Sequence, residues 1–175
     1  MNEQLHRLIW MSLLIFAVFD TNAADKVTVR INNQTISAWR AADFESAKKE
    51  AAAQHKPIAW VGSELRLLDG EGKISTNGGR GATLHALYAL RDQTILVFED
   101  GPTENHKVLQ LVDDAIHKPK DQWVAPIVIF LNPSITKVLA TVTFEPDFVK
   151  RAHALADGLN QAKEKMKSET DSEKK

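Results

Sequence analysis

The chain has 175 residues, 43% hydrophobic and 26% charged, a globular composition that excludes a disordered chain, a collagen-like chain and a polytopic membrane protein. Twenty-two basic residues against 23 acidic ones leave a net charge of −1, so no bulk field exists for a phosphate backbone and nucleic acid is not expected as a partner. Cysteine is absent, which removes disulfides, thiolate metal ligands, thiol nucleophiles and lipidation at cysteine.

Residues 1–24 have a short polar head with Arg7, an apolar run from Leu8 to Phe19 and the small-residue stretch Thr21-Asn22-Ala23-Ala24, the pattern of a secretory signal peptide. The run holds twelve residues, whereas a spanning helix needs roughly 20. A periplasmic or extracellular protein without a stable membrane anchor is the expectation. The domain proper is then 25–166.

Val27, Val29 and Ile31 alternate with Thr28 and Arg30, which predicts a strand with one wet face ended by Asn32 and Asn33. From Asp43, placed as an N-cap, to Gln54 the segment is helical in composition, with Phe44, Ala47 and Ala51 on one stripe. Pro57 opens the apolar run Ile58-Ala59-Trp60-Val61, short and continuous as a strand covered on both faces would be. Residues 64–82 hold five of the eight glycines and read as a long loop. Thr83 is placed to cap a second helix running to Leu90, with Leu84, Leu87 and Tyr88 inward and His85 and Arg91 directed elsewhere. Thr94 to Phe98 is a third strand, and Val108 to Ile116 repeats apolar residues at helical spacing.

Pro126 to Leu131 is the strongest strand signal, and Lys137 to Thr143 follows the turn Asn132-Pro133-Ser134 closely enough to pair with it as a hairpin. Pro146 is placed at the first position of a last helix whose stripe is Phe148, Ala152, Leu155, Leu159 and Ala162. Residues 167–175 lack apolar surface and read as a disordered charged tail. The order is β-α-β-α-β-α-β-β-α, an α/β fold with helices flanking a mixed five-stranded sheet.

Lys56-Pro57-Ile58-Ala59-Trp60-Val61-Gly62 resembles the second strand of the thioredoxin-like fold running into its active-site turn, and Val124-Ala125-Pro126-Ile127-Val128-Ile129-Phe130 resembles the fourth strand with its preceding cis-proline. The resemblance spans Val27 to about Lys165. Where redox members carry Cys-x-x-Cys, this chain has Gly62-Ser63-Glu64-Leu65-Arg66, and a serine hydroxyl cannot supply the attacking and leaving sulfur of disulfide exchange. The resemblance therefore implies the fold without its thiol chemistry, and a place beside Pro126 and the backbone of Ala125 for an extended peptide.

The leading candidate site is accordingly the groove between Gly62, Ser63 and Glu64 on one side and Ala125 and Pro126 on the other, flanked by Trp60 and Trp123. The bland reading makes Trp60 core and the groove a relic. In the glycine-rich loop, the spacing of a phosphate loop is missing, and a calcium loop aligned on Gly72 would put Leu67 and Gly78 where carboxylates are needed. His55, His85, His106, His117 and His153 show no zinc-helix spacing. No metal, cofactor or catalytic residue is assigned.

The sequence thus reads as an exported, thiol-free binding or scaffolding module for an unidentified protein or peptide. The alternative is a non-thiol enzyme built around loop 64–82 with Ser63, Glu64, Arg80 or His85. A deep pocket containing a displaced acid or base separates the enzyme from the module.

Overall fold

The computed structural model describes residues 26–31, 34–62, 81–99, 110–116 and 126–172. β1 (Val27–Ile31) is the alternating strand expected there. A strand that was not expected follows at once: β2 (Gln34–Arg40) pairs antiparallel with β1 from Val27↔Ala38 to Ile31↔Gln34. Its buried residues are Ile36 and Ala38, too few and too small to give a period-two signal.

A 3-10 turn at Ala41–Asp43 leads into α1 (Phe44–Gln54), which buries Phe44, Ala47 and Ala51 as its spacing requires. Asp43 makes no side-chain cap hydrogen bond, because the 3-10 turn holds it at φ −105°, ψ 29° rather than in the extended cap conformation. His55 ends α1 in the left-handed region at φ 51°, and Lys56 N–H then donates to Ala51 O at 3.1 Å. The chain passes through Pro57 into β3 (Ile58–Gly62), buried at every position.

α2 (Gly81–Leu90) starts two residues before Thr83, which is buried in the first turn instead of capping it. β4 (Ile95–Glu99), α3 (Gln110–Ile116), β5 (Ile127–Leu131) and β6 (Val138–Val142) follow in the expected order. α4 (Phe148–Ser172) is capped by Asp147, whose Oδ1 accepts the Lys150 N–H at 2.8 Å, so Pro146 lies outside the helix. The stretch assigned to a disordered tail is helical as far as Ser172. Lys137 of the strand side reaches Glu169 at 2.8 Å and ties the extension to the domain.

The six described strands form one sheet in the order β1-β2-β4-β3-β5-β6, where five were expected. β2, β4 and β3 are parallel, while β5 is antiparallel to β3 and β6 to β5. The strand beside β4 is therefore β2, and β1, the first strand of the expected order, is an antiparallel addition at the edge.

Strand alternation sends residues to two cores. Ala59, Val61, Val128 and Phe130 meet Ala86, Leu87 and Leu90 of α2 and Leu155, Leu159 and Ala162 of α4. Ile58, Trp60, Val97, Ile129 and Leu131 meet Phe44, Ala47 and Ala51 of α1 and Val112 of α3. The result is a mixed sheet flanked by helices on both faces. Among the described residues no helix is long and apolar enough to cross a membrane. The expected signal peptide lies outside the described residues.

Candidate functional site

The parallel strands β2, β3 and β4 point their carboxyl ends to one edge of the sheet, and β5 begins there. In open α/β sheets this is the edge at which ligand crevices form. Gly62, the last residue of β3, stands between Glu99 of β4 and Ile127 of β5 in the strand register. Pro126 is buried immediately before Ile127. The structure thus brings together Gly62 and Pro126 of the expected groove. Ser63, Glu64, Trp123 and Ala125 lie outside the described residues, as does Arg80. The last two residues assigned to loop 64–82 belong to α2.

Trp60 is fully buried and its ring lies across the strand end: a Cβ added to Gly62 would sit 2.4 Å from Trp60 Cη2. Trp60 is therefore core rather than groove wall, and it explains why β3 ends on glycine. Glu99, on the same face as Trp60 and Gly62, is 3% exposed and places a carboxyl group at this edge. Sequence reasoning did not single it out. The available signal was a carboxylate closing the apolar run Ile95–Phe98, just before the breaker Asp100-Gly101-Pro102.

A second polar centre joins the first turns of α2 and α4. Arg151, 8% exposed, donates from Nε to His85 Nδ1 at 3.1 Å and from Nη1 to the carbonyls of Glu145 at 2.7 Å and Pro146 at 3.1 Å. The His85 ring stacks on Phe148 with centroids 4.2 Å apart. Nδ1 accepts, so the imidazole proton sits on Nε2. Burial, reinforced by the Arg151 charge, lowers the pKa of His85 and favours the neutral ring. His85 lies off the buried stripe of α2, as expected, and its partners come from the start of α4. Phe148, expected on the buried stripe, is 61% exposed because it opens the helix, and Arg151 occupies the inward position one turn before Leu155.

Glu50 is the other displaced group. Burial pushes its pKa up, but hydrogen bonds from Lys26, Trp39 and Gln54, with the Lys26 charge, hold it below the ordinary carboxylate value. Its Oε2 lies 2.6 Å from Trp39 Nε1 and 2.7 Å from Lys26 Nζ, while Oε1 accepts from Gln54 at 3.1 Å. This carboxylate is committed to holding α1 against the β1–β2 hairpin. Among the described residues no group of three or more His, Asp or Glu side chains is placed to hold a metal ion.

No family model matches the chain, and no curated protein matches it. Among solved structures it is similar to a chain described as DsbH oxidoreductase, at 16% identity and a TM-score of 0.37, covering 79% of this chain and 92% of that one. At that TM-score neither family nor activity passes to this chain, and the architecture rests on the strand order described above.

Proposed function

We propose that the chain is an exported thioredoxin-like domain without thiol chemistry, working as a binding or scaffolding module that takes an extended peptide at the Gly62 and Pro126 edge. The observation that carries this reading is the strand register, in which Gly62 stands beside Ile127 with Pro126 directly before it, at the carboxyl edge of a chain with no cysteine. The sheet order β2-β4-β3-β5-β6, parallel in its first three strands and antiparallel in the last two, supports the fold assignment, with β1 as an edge addition. Without cysteine the edge cannot carry out disulfide exchange. What the resemblance leaves for a partner strand is the backbone beside Pro126.

The test is a titration of the isotope-labelled protein with extended peptides, followed by amide resonances. Shifts concentrated at Gly62, Glu99 and Ile127 are expected. Peptides that move none of these signals, or catalytic reduction of insulin by the purified protein, overturn the reading.

The alternative, a non-thiol enzyme around the segment after β3, draws support from one observation: burial and the Arg151 charge keep His85 neutral, and the bond from Arg151 to Nδ1 leaves the proton on Nε2, so the ring is set up as a hydrogen-bond donor rather than as a base. The substitution His85→Gln separates the two. It abolishes turnover in an enzyme and leaves peptide binding unchanged in a module.

A further inference from the structure

The amino ends of β3 and β4 and the carboxyl end of β5 form the opposite edge of the sheet, and a cleft opens there. It has a volume of about 1270 Å³ and runs between the end of α1, the β5–β6 turn and the carboxyl half of α4. Among the described residues its walls carry Lys48, Lys56, Lys137, Lys163 and Lys167 against two carboxylates, Asp92 and Glu169. Both carboxylates are already engaged, Asp92 by Arg91 at 3.2 Å and Glu169 by Lys137 at 2.8 Å. Lys163 donates to the neutral amide oxygen of Gln93, and Lys48 reaches Glu45 only at 3.8 Å. Lys56 and Lys167 form no ion pair among the described residues. In a chain of net charge −1, the described walls of this one cleft therefore carry an excess of positive charge, to which Lys56, Lys163 and Lys167 contribute without a carboxylate partner among the described residues.

The chemistry of the walls narrows the ligand. Lysine ammonium groups are mobile point charges without the fixed fork of arginine, so they suit a run of carboxylates rather than one anion held in a defined geometry. Pro57, Pro133 and Met166 give the cleft apolar surface, which accommodates aliphatic side chains between the acids. The turn that forms one wall is pre-organised, since Asn132 Oδ1 accepts the backbone N–H groups of Thr136 and Lys137 at 2.8 and 3.1 Å. We infer that this cleft docks an extended, aspartate- and glutamate-rich segment of a partner protein. This surface is separate from the Gly62 and Pro126 edge and does not depend on the function proposed for it.

The experiment is a titration of the full-length, isotope-labelled chain with an acidic peptide in which glutamates are interspersed with leucines, with inorganic tripolyphosphate as a second arm. The expected result is a set of amide shifts confined to the surroundings of Lys56, Gln93, Ser134 and Lys163, with affinity falling as salt rises. The double variant Lys56→Glu/Lys167→Glu is expected to weaken peptide binding roughly tenfold, while the charge-matched Lys49→Glu/Lys150→Glu, on exposed faces elsewhere, changes it by less than about twofold. A thermal melt of both variants checks that they fold, and the salt dependence of the unsubstituted chain reads the same interaction without any substitution. The inference is overturned by equal weakening in the two variants, by shifts scattered over the surface, by no shift with the peptide, or by tripolyphosphate binding where the peptide does not.

Discussion

Arg151 gives its Nε proton to His85 Nδ1 at 3.1 Å, and this bond between the first turns of two helices requires an unprotonated acceptor. Protonation would turn Nδ1 into a donor facing a guanidinium. The folded state therefore resists a proton that the unfolded chain accepts near the ordinary value of 6.5. Because the folded pKa is the lower one, the unfolded state binds more protons in this window and stability falls as pH falls. The contribution is fully present above about 6.5 and is lost as the pH drops through the folded pKa of His85. Glu50 is also depressed, but from 4.5, so its loss begins only in stronger acid. The substitution His85→Gln keeps an oxygen acceptor for Arg151 and removes the titration. Its melting temperature should change less between about pH 7.5 and 5.5 than that of the unsubstituted protein. Equal losses in the two proteins would refute the assignment.

Arg151 itself is buried without a carboxylate partner among the described residues, so its worth lies in what it satisfies. Truncation in Arg151→Ala leaves the carbonyls of Glu145 and Pro146 and the Nδ1 of His85 without this donor, and empties space in the interface between α2 and α4. A loss of about 2–4 kcal/mol in urea unfolding is expected. Arg151→Lys should fall between the two, since one ammonium can reach a carbonyl but cannot reproduce the fork. If Arg151→Ala unfolds within about 0.5 kcal/mol of the parent, this cluster is a surface contact of no structural weight.

The parts of the fold legible in the sequence are those where burial is complete on both faces. β3 and β5 are apolar at nearly every position because helices cover both sides, and continuous apolar runs of that length leave few alternatives. β2 was illegible for the opposite reason. Its inward residues Ile36 and Ala38 are separated by exposed Ser37 and preceded by exposed Gln34 and Thr35, so tertiary pairing to β1 and β4 decides its conformation. At the site, Gly62 and Pro126 were legible as punctuation of apolar strands. Glu99 and Arg151 were not, because a charged residue at an inward position contradicts the expectation that charge marks the surface. The spacing was nonetheless there to be read: Arg151 lies four residues before Leu155 and eight before Leu159 on the buried stripe of α4.

Gly62 is the residue at which strand and ring collide. A methyl group there would come within 2.4 Å of Trp60 Cη2 and 2.7 Å of Cζ3, and a fully buried indole has no free space into which to retreat. Gly62→Ala should cost about 1–3 kcal/mol and alter the near-ultraviolet circular dichroism of Trp60. Gly81 is the control, since a Cβ there meets nothing within 4 Å among the described residues and the position is helical. Gly81→Ala should be neutral or stabilising by up to about 1 kcal/mol. Identical behaviour of the two variants would contradict the close approach of Trp60 to the strand end.

Asn132 closes the β5–β6 hairpin with both ends of its amide. Oδ1 accepts from the backbone of Thr136 and Lys137, and Nδ2 donates to Ser134 Oγ at 3.0 Å and Thr136 Oγ1 at 2.9 Å. Ile135 sits between these anchors at φ 55°, a left-handed conformation that a β-branched residue does not adopt without support. Asn132→Ala removes that support and leaves two backbone donors without this acceptor, at a cost of about 2–3 kcal/mol. Asn132→Asp behaves differently. Its carboxylate still accepts both N–H groups, and the Ser134 and Thr136 hydroxyls can rotate to donate instead of accept, so the loss should stay within about 1 kcal/mol at neutral pH. Amide exchange at Thr136 and Lys137 reads the difference directly. Protection should survive in the aspartate variant and collapse in the alanine one, because the strain at Ile135 is held by the acceptor rather than by the amide donor.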